Sequence, residues 1–201
     1  ANIAEDLILE IGGNAMLVRA GALHHDIGKI AFPMFFIENQ NTGFNPHNEI
    51  SYEESAQVII AHVTNGVKLA YKHSLPEPII DFIRTHHGTS KTKYFYNRYV
   101  AENPDKPIDQ TLFTYKGPRP FSRETAVVMM VDAVEAASRS LKTHTESEIS
   151  KLVDNIINSQ IADEQFSNSD ITFKDVDKIK ELLKNKLQSI YHVRIEYEIK
   201  K

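Results

Sequence analysis

The sequence predicts an all-α protein. Apolar residues recur at three- and four-residue spacing through most of the 201 positions, and period-two alternation appears only in the tail. Clusters of Gly, Pro and Asn punctuate the segments between.

Residues 1–11 and 14–27 read as two helices separated by Gly12-Gly13-Asn14. The first places Ile3, Leu7, Ile8 and Ile11 on one face but opens without a cap, so the sequence reads as a fragment of a longer chain. Residues 31–50 read as mostly irregular, because Pro33, Asn41-Thr-Gly43 and Asn45-Pro46 interrupt them. Helices are predicted over 51–62, 64–73, 76–87 and 92–103. Residues 104–120 hold four prolines and read as a long loop, of the kind that is functional or disordered in compact domains. Helices resume at 122–141, 146–163 and 173–191. The last is amphipathic, with Val176, Ile179, Leu183, Leu187 and Ile190 on one face and Lys and Glu on the other. Val193, Ile195, Tyr197 and Ile199 then alternate with polar residues, which predicts a short C-terminal strand.

The length suits one domain with a substantial core. A net charge of −4 gives no general attraction for nucleic acid or an anionic membrane, so DNA and RNA are not expected partners. Any phosphate must be met by local cations or metal ions. There is no cysteine, which leaves imidazole and carboxylate as the strong metal ligands. No run of about 18 apolar residues and no signal-peptide pattern is present.

Ionisable residues nevertheless sit where helices should be dry. Asp132 lies in Ala126-Val-Val-Met-Met-Val-Asp-Ala-Val-Glu-Ala-Ala137, a helix apolar around most of its circumference, and is expected to be buried with it. A buried carboxylate must be protonated, paired or metal-bound. His62 sits within Val58-Ile-Ile-Ala-His-Val63, His86-His87 closes an apolar helix before Gly88, and His25-Asp26 closes another before Gly28. Singly, each has an ordinary reading: a hydrogen-bonded Asp, a satisfied core His, a His pair at a helix C-terminus. Consecutive helical residues point about 100° apart and rarely reach one ion from mid-helix. Two neighbouring ions relax that limit, and a nearby Gly lets the backbone turn. Together the residues point to a binuclear site with nitrogen and oxygen ligands.

The order His25-Asp26, His62, His86-His87, Asp132 resembles that of the HD-domain metal-dependent phosphohydrolases. Longer stretches narrow the resemblance: Pro33-Met-Phe-Phe-Ile-Glu-Asn-Gln-Asn-Thr-Gly-Phe-Asn-Pro-His47, His86-His-Gly-Thr-Ser90 with Tyr94-Phe-Tyr96, and Tyr115-Lys-Gly-Pro-Arg-Pro120. They are similar to the HD domain of the seven-transmembrane-receptor HD family, whose characterised members are bacterial cyclic di-AMP phosphodiesterases. The likeness is dense over residues 1–140 and loose over 141–201. It implies an HD-domain helical bundle spanning residues 1–201, with the metal-site core in 1–140 and C-terminal helices and tail in 141–201. It further implies two divalent transition-metal ions, commonly iron or manganese, and hydrolysis of cyclic di-AMP to 5′-pApA by a metal-activated hydroxide. The parent protein is then membrane-anchored in a bacterium, with this domain cytoplasmic. The family carries one more metal-binding His on its first helix. Residues 1–23 contain none, so its equivalent is expected upstream of Ala1.

Within that resemblance His25, Asp26 and Asp132 are expected to hold one ion and Asp26, His62, His86 and His87 the other, with Asp26 bridging. Lys29, one turn beyond His25, is expected to act with Asp26 in catalysis by contacting phosphate. Tyr94 is expected to stack on adenine and Arg119 to contact substrate, although the rings of 94–99 at helical spacing also read as core. Two other functions share the same residues: a non-catalytic nucleotide-sensing module and a mononucleotide phosphohydrolase.

Overall fold

The computed structural model describes residues 1–40 and 43–192. The described residues are all-α. In chain order the helices are α1 (Asn2–Glu10), α2 (Ala15–His24), α3 (Tyr52–Lys72), α4 (Glu77–Thr85), α5 (Lys93–Glu102), α6 (Arg123–Ser138), α7 (Glu146–Ala162) and α8 (Phe173–His192). No strand occurs among the described residues, where β pairing is limited to an isolated bridge between Lys91 and Thr114. The strand expected at Val193–Ile199 lies outside them. None of the described helices is long and apolar enough to cross a membrane.

The chain divides into two compact units, one made of Ala1–Arg19 with the chain from Phe121, the other of Ala20–Pro120. In the first, α1 packs on α6 and α8, and α7 packs on both α6 and α8. The apolar stripes explain this: Leu7 and Ile8, Val127 to Met130 with Val134, Ile149 with Val153 and Ile157, and Val176, Ile179, Leu183 and Leu187 are all buried. Ile190, placed by periodicity on the same face, is 39% exposed. Asp132 also departs from expectation: on α6 it is half-buried, whereas its neighbours Met130 and Val131 are buried.

In the second unit α3 is the central element, contacted by α4, α5 and the 3-10 turn Ile27–Ala31. The sequence predicts two helices here, but nothing at Val63 breaks the chain, and one helix of 21 residues forms. Its start is set by a capping box, in which the Ser51 hydroxyl accepts from the Glu54 N–H (3.1 Å) and the Glu54 carboxylate accepts from the Ser51 N–H (2.9 Å). Ser51→Ala is therefore expected to cost about 1 kcal/mol, read as a lower Tm in a thermal melt.

Gly66 lies within α3 and Gly28 within the 3-10 turn, and each allows the other's backbone to come close. A Cβ on Gly28 would stand 1.8 Å from the His62 carbonyl oxygen and 2.4 Å from the Gly66 nitrogen. Gly28 thus serves close backbone approach rather than the turn expected of it. Gly88, with φ +50°, is the glycine that turns the chain, and α4 ends at Thr85 just before the His86-His87 pair.

The proline-rich loop is packed rather than disordered. Its 3-10 turn Gln110–Phe113 buries Phe113 completely, and main-chain bonds tie Thr92 to Phe113 (2.8 Å) and Tyr115 to Ser90 (2.9 Å). These bonds bring Tyr115 alongside the residues that follow α4.

Candidate metal centre

His25 and Asp26 lie in the turn after α2, His62 in the middle of α3, and His86 and His87 where α4 ends. The fold gathers all five. Asp26 Oδ2 lies 3.2 Å from His25 Nε2, while Asp26 Oδ1 lies 3.4 Å from His62 Nε2 and 3.6 Å from His86 Nε2. His62 Nε2 and His86 Nε2 are 3.0 Å apart. Two triplets have ligand atoms within 4.8 Å of one another: His62, His86 and His87, and His25, Asp26 and His86. Adjacent histidines reach the same place because His86 caps α4 and His87 already belongs to the turn, so the mid-helix restriction does not apply.

The ring tautomers follow from hydrogen bonds to main-chain oxygens, which can only accept. His25 Nδ1 donates to Ala22 O (2.8 Å), His62 Nδ1 to Ile59 O (2.6 Å) and His86 Nδ1 to Ile83 O (2.9 Å). In the neutral rings, each Nε2 then carries a lone pair, and all three converge on the Asp26 carboxylate. Acceptors at 3.0–3.6 Å from one another repel unless a cation lies among them. Protonating one ring would satisfy one contact and leave the others opposed. Outer hydrogen bonds that orient an imidazole and fix its tautomer are also how protein ligands are prepared for metals. The donor set therefore fits a bound metal ion.

The electrostatics agree. Burial lowers the affinity of His86 for a proton, and the neighbouring His87, His25 and His62 push it down further, so the ring stays neutral and able to ligate. Burial works to raise the pKa of Asp26, but a proton on His25, which would turn its Nε2 into a donor to the carboxylate, the charge His86 would carry if protonated, and the Lys29 ammonium all oppose it and hold the carboxyl far below its usual range.

Asp26 also meets Lys29, whose Nζ lies 2.7 Å from Asp26 Oδ2 and 2.6 Å from Glu38 Oε1. Tyr115 stacks on His87 with centroids 4.2 Å apart, and Phe36 meets His62 edge-on at 5.7 Å. A cleft of about 120 Å³ opens beside His87, walled by Gln57, Thr64, Arg84, Tyr115 and Lys116. Glu38, Phe36 and Tyr115 were not singled out from sequence. They arrive on 3-10 turns and a loop, which have no periodicity to mark an inward side chain.

Other predicted residues stand elsewhere. Asp132 belongs to α6, in the first compact unit. Tyr94 is 64% exposed on α5, and its ring meets Phe95 and the Arg98 guanidinium. The neighbouring rings do not form the expected buried core: Phe95, Tyr96 and Tyr99 are half-buried, packed on His47 or Phe113. Arg119 Nε donates to Thr89 Oγ1 (3.1 Å), in the loop that follows His87. His24, adjacent to the cluster, donates to Ala20 O (2.8 Å).

Comparison with known proteins bears on the same residues. The HD domain family model matches residues 1–137. The chain is 40% identical over 197 residues to the cyclic-di-AMP phosphodiesterase PgpH of Listeria monocytogenes serotype 1/2a (strain 10403S), and 41% identical over 197 residues to PgpH of Bacillus subtilis (strain 168). Each match covers 98% of this chain and 27% of the relative, so the chain spans about a quarter of the length of these proteins. Among solved structures, the L. monocytogenes PgpH HD domain in complex with cyclic-di-AMP superposes with a TM-score of 0.90 at 39% identity, covering 94% of this chain and 88% of that one.

Proposed function

The chain belongs to the HD-domain family, and from that premise we propose that it is a metal-dependent phosphodiesterase that hydrolyses cyclic di-AMP to 5′-pApA. The observation that carries this reading is the convergence of three imidazole Nε2 atoms on Asp26, each ring held through Nδ1 by a main-chain carbonyl. The substrate is inferred from the relatives and from the complex of one of them with cyclic-di-AMP.

Two ions are proposed, iron or manganese, which a set of nitrogen and oxygen ligands without thiolate suits. His25, Asp26 and Asp132 would hold one; Asp26, His62, His86 and His87 would hold the other. The two triplets, which share His86 and of which one contains Asp26, support two adjacent positions. Asp132 enters through its place in the HD order and within the matched region. Bound divalent ions supply water activation and neutralisation of phosphate charge. Asp26 supplies the negative charge that keeps cations together, and Lys29 offers an ammonium to a phosphate oxygen. Arg119 is proposed to meet phosphate, and the exposed Tyr94 ring to stack on adenine. Arg84 and Lys116 on the cleft wall suit an anionic substrate.

Residues 1–201 are read as a single HD domain, with 1–140 as its metal-site core and 141–201 as C-terminal helices and tail. The parent is proposed to be a membrane-anchored bacterial protein with this domain on the cytoplasmic side, supported by the greater length of the relatives.

Purified protein should contain up to about two transition-metal ions per chain, and Asp132→Ala should carry about one fewer by elemental analysis. With manganese or iron, chromatography of a cyclic di-AMP incubation should show pApA accumulating. Binding without turnover would favour the sensing module. Cleavage of mononucleotides with no pApA would favour the mononucleotide phosphohydrolase.

A further inference from the structure

The segment from Ala31 to Gln40 resembles a surface loop in sequence but is built as a frame. Pro33–Phe35 and Ile37–Asn39 are short 3-10 turns. Asn39 Nδ2 donates to Pro33 O (3.2 Å) and Gln40 Nε2 to Met34 O (3.1 Å). His47 Nε2 donates to Phe35 O (2.9 Å), and its ring lies between Phe35 and Phe95. These bonds fasten the segment at both ends and in the middle.

The frame buries Phe36 against His62 and holds Glu38 at its exposed surface, where the carboxylate meets Lys29. Lys29 crosses the Phe36 ring at 5.1 Å and reaches two carboxylates, Asp26 and Glu38. An ammonium has three N–H donors; two go to these oxygens, and the third is left for a ligand. Asp26 alone is a poor anchor, because the same carboxylate faces three imidazoles. Any cation that draws on Asp26 weakens its hold on Lys29 and repels the ammonium as well. Glu38 faces none of the histidines. It is therefore the carboxylate that can hold Lys29 in place when Asp26 is engaged.

We infer that Glu38 is a positioning residue that acts through Lys29, fixing the ammonium beside Asp26 so that its remaining donor meets a phosphate oxygen of the substrate. This rests on the phosphodiesterase reading for the substrate but not for the contact, and the two are tested separately. An exposed Lys–Glu pair with no such role would be worth little and would not affect turnover.

The test is a cycle of Glu38→Gln, Lys29→Met and the double variant, with Glu38→Asp as the conservative control. Expected is a fall in kcat for cyclic di-AMP of about tenfold or more in Glu38→Gln, with KM changed by less than about threefold, and substantial recovery in Glu38→Asp. In the Lys29→Met background the same change should add less than about twofold, because its effect passes through the missing amine. Equal costs in both backgrounds, unaltered kinetics, or loss of bound metal in Glu38→Gln would each overturn the inference. A second measurement does not depend on the substrate: acylation of the Lys29 amine by an activated ester, followed by mass spectrometry in metal-loaded protein. Lys29 should react about threefold faster or more in Glu38→Gln, with the other lysines unchanged, as expected for an ammonium that loses one of its two charge-assisted hydrogen bonds. An unchanged Lys29 rate refutes the positioning role even if the wild type proves to act on another substrate.

Discussion

Asp26→Asn is expected to fold and to lose turnover of cyclic di-AMP by about a thousandfold or more, the scale seen when a group that stabilises the transition state electrostatically is removed. The carboxylate uses both oxygens: Oδ1 toward His62 and His86, Oδ2 toward His25 and Lys29. An amide keeps one acceptor, replaces the other with a donor, and removes a unit of negative charge. It cannot bridge two cations, and it leaves Lys29 with Glu38 alone. The fold should tolerate the change, because Asp26 sits in a turn, makes no helix-capping bond, and has a side chain 31% exposed. Three measurements on one sample decide the matter: circular dichroism, metal per chain and pApA formation. Native helicity with metal depleted and turnover gone is the expected set. Undiminished turnover would refute the bridging role.

Gly28→Ala is expected to destabilise the protein by about 3 kcal/mol or more, at the upper end of overpacking substitutions. The added methyl meets backbone, the His62 carbonyl and the Gly66 nitrogen, which cannot rotate away. Gly66→Ala should cost less, about 1 kcal/mol, because its nearest neighbour is a methyl of Ile83 at 2.8 Å and the Gly28 nitrogen lies at 3.2 Å. Denaturant melts of the two variants test the ranking. The reverse order would mean that the crossing between the 3-10 turn and α3 is not the tight point. Since Gly28 lies two residues from Asp26 and touches the carbonyl of His62, the same substitution should also separate these groups and lower metal content.

Both predictions concern places where the sequence was informative to different degrees. His25-Asp26, His62 and His86-His87 were legible because an ionisable residue in an apolar helical pattern is costly and asks for an explanation. The family resemblance then put them in one site. Lys29 was legible as a cation near that site, but its partner Glu38 was not, since the eight intervening residues in irregular turns carry no periodic signal. The packing of the 104–120 loop was equally hidden: its proline content is compatible with disorder, and only the burial of Phe113 and the bonds to Ser90 and Thr92 show otherwise.

The sequence by itself determined the all-α class, most helix positions, and which histidines and aspartates deserved attention. Each follows from local chemistry: spacing at three and four residues, and a charge among apolar neighbours. Only the tertiary structure decided that α3 runs unbroken past Val63, that Gly28 serves contact rather than a turn, that Asp132 is half-buried, and that three Nε2 lone pairs face one carboxylate. Those outcomes depend on two backbones crossing at Gly28 and Gly66 and on His25, His62 and His86 meeting around Asp26. Such approaches join residues tens of positions apart, and side-chain periodicity carries no information about them.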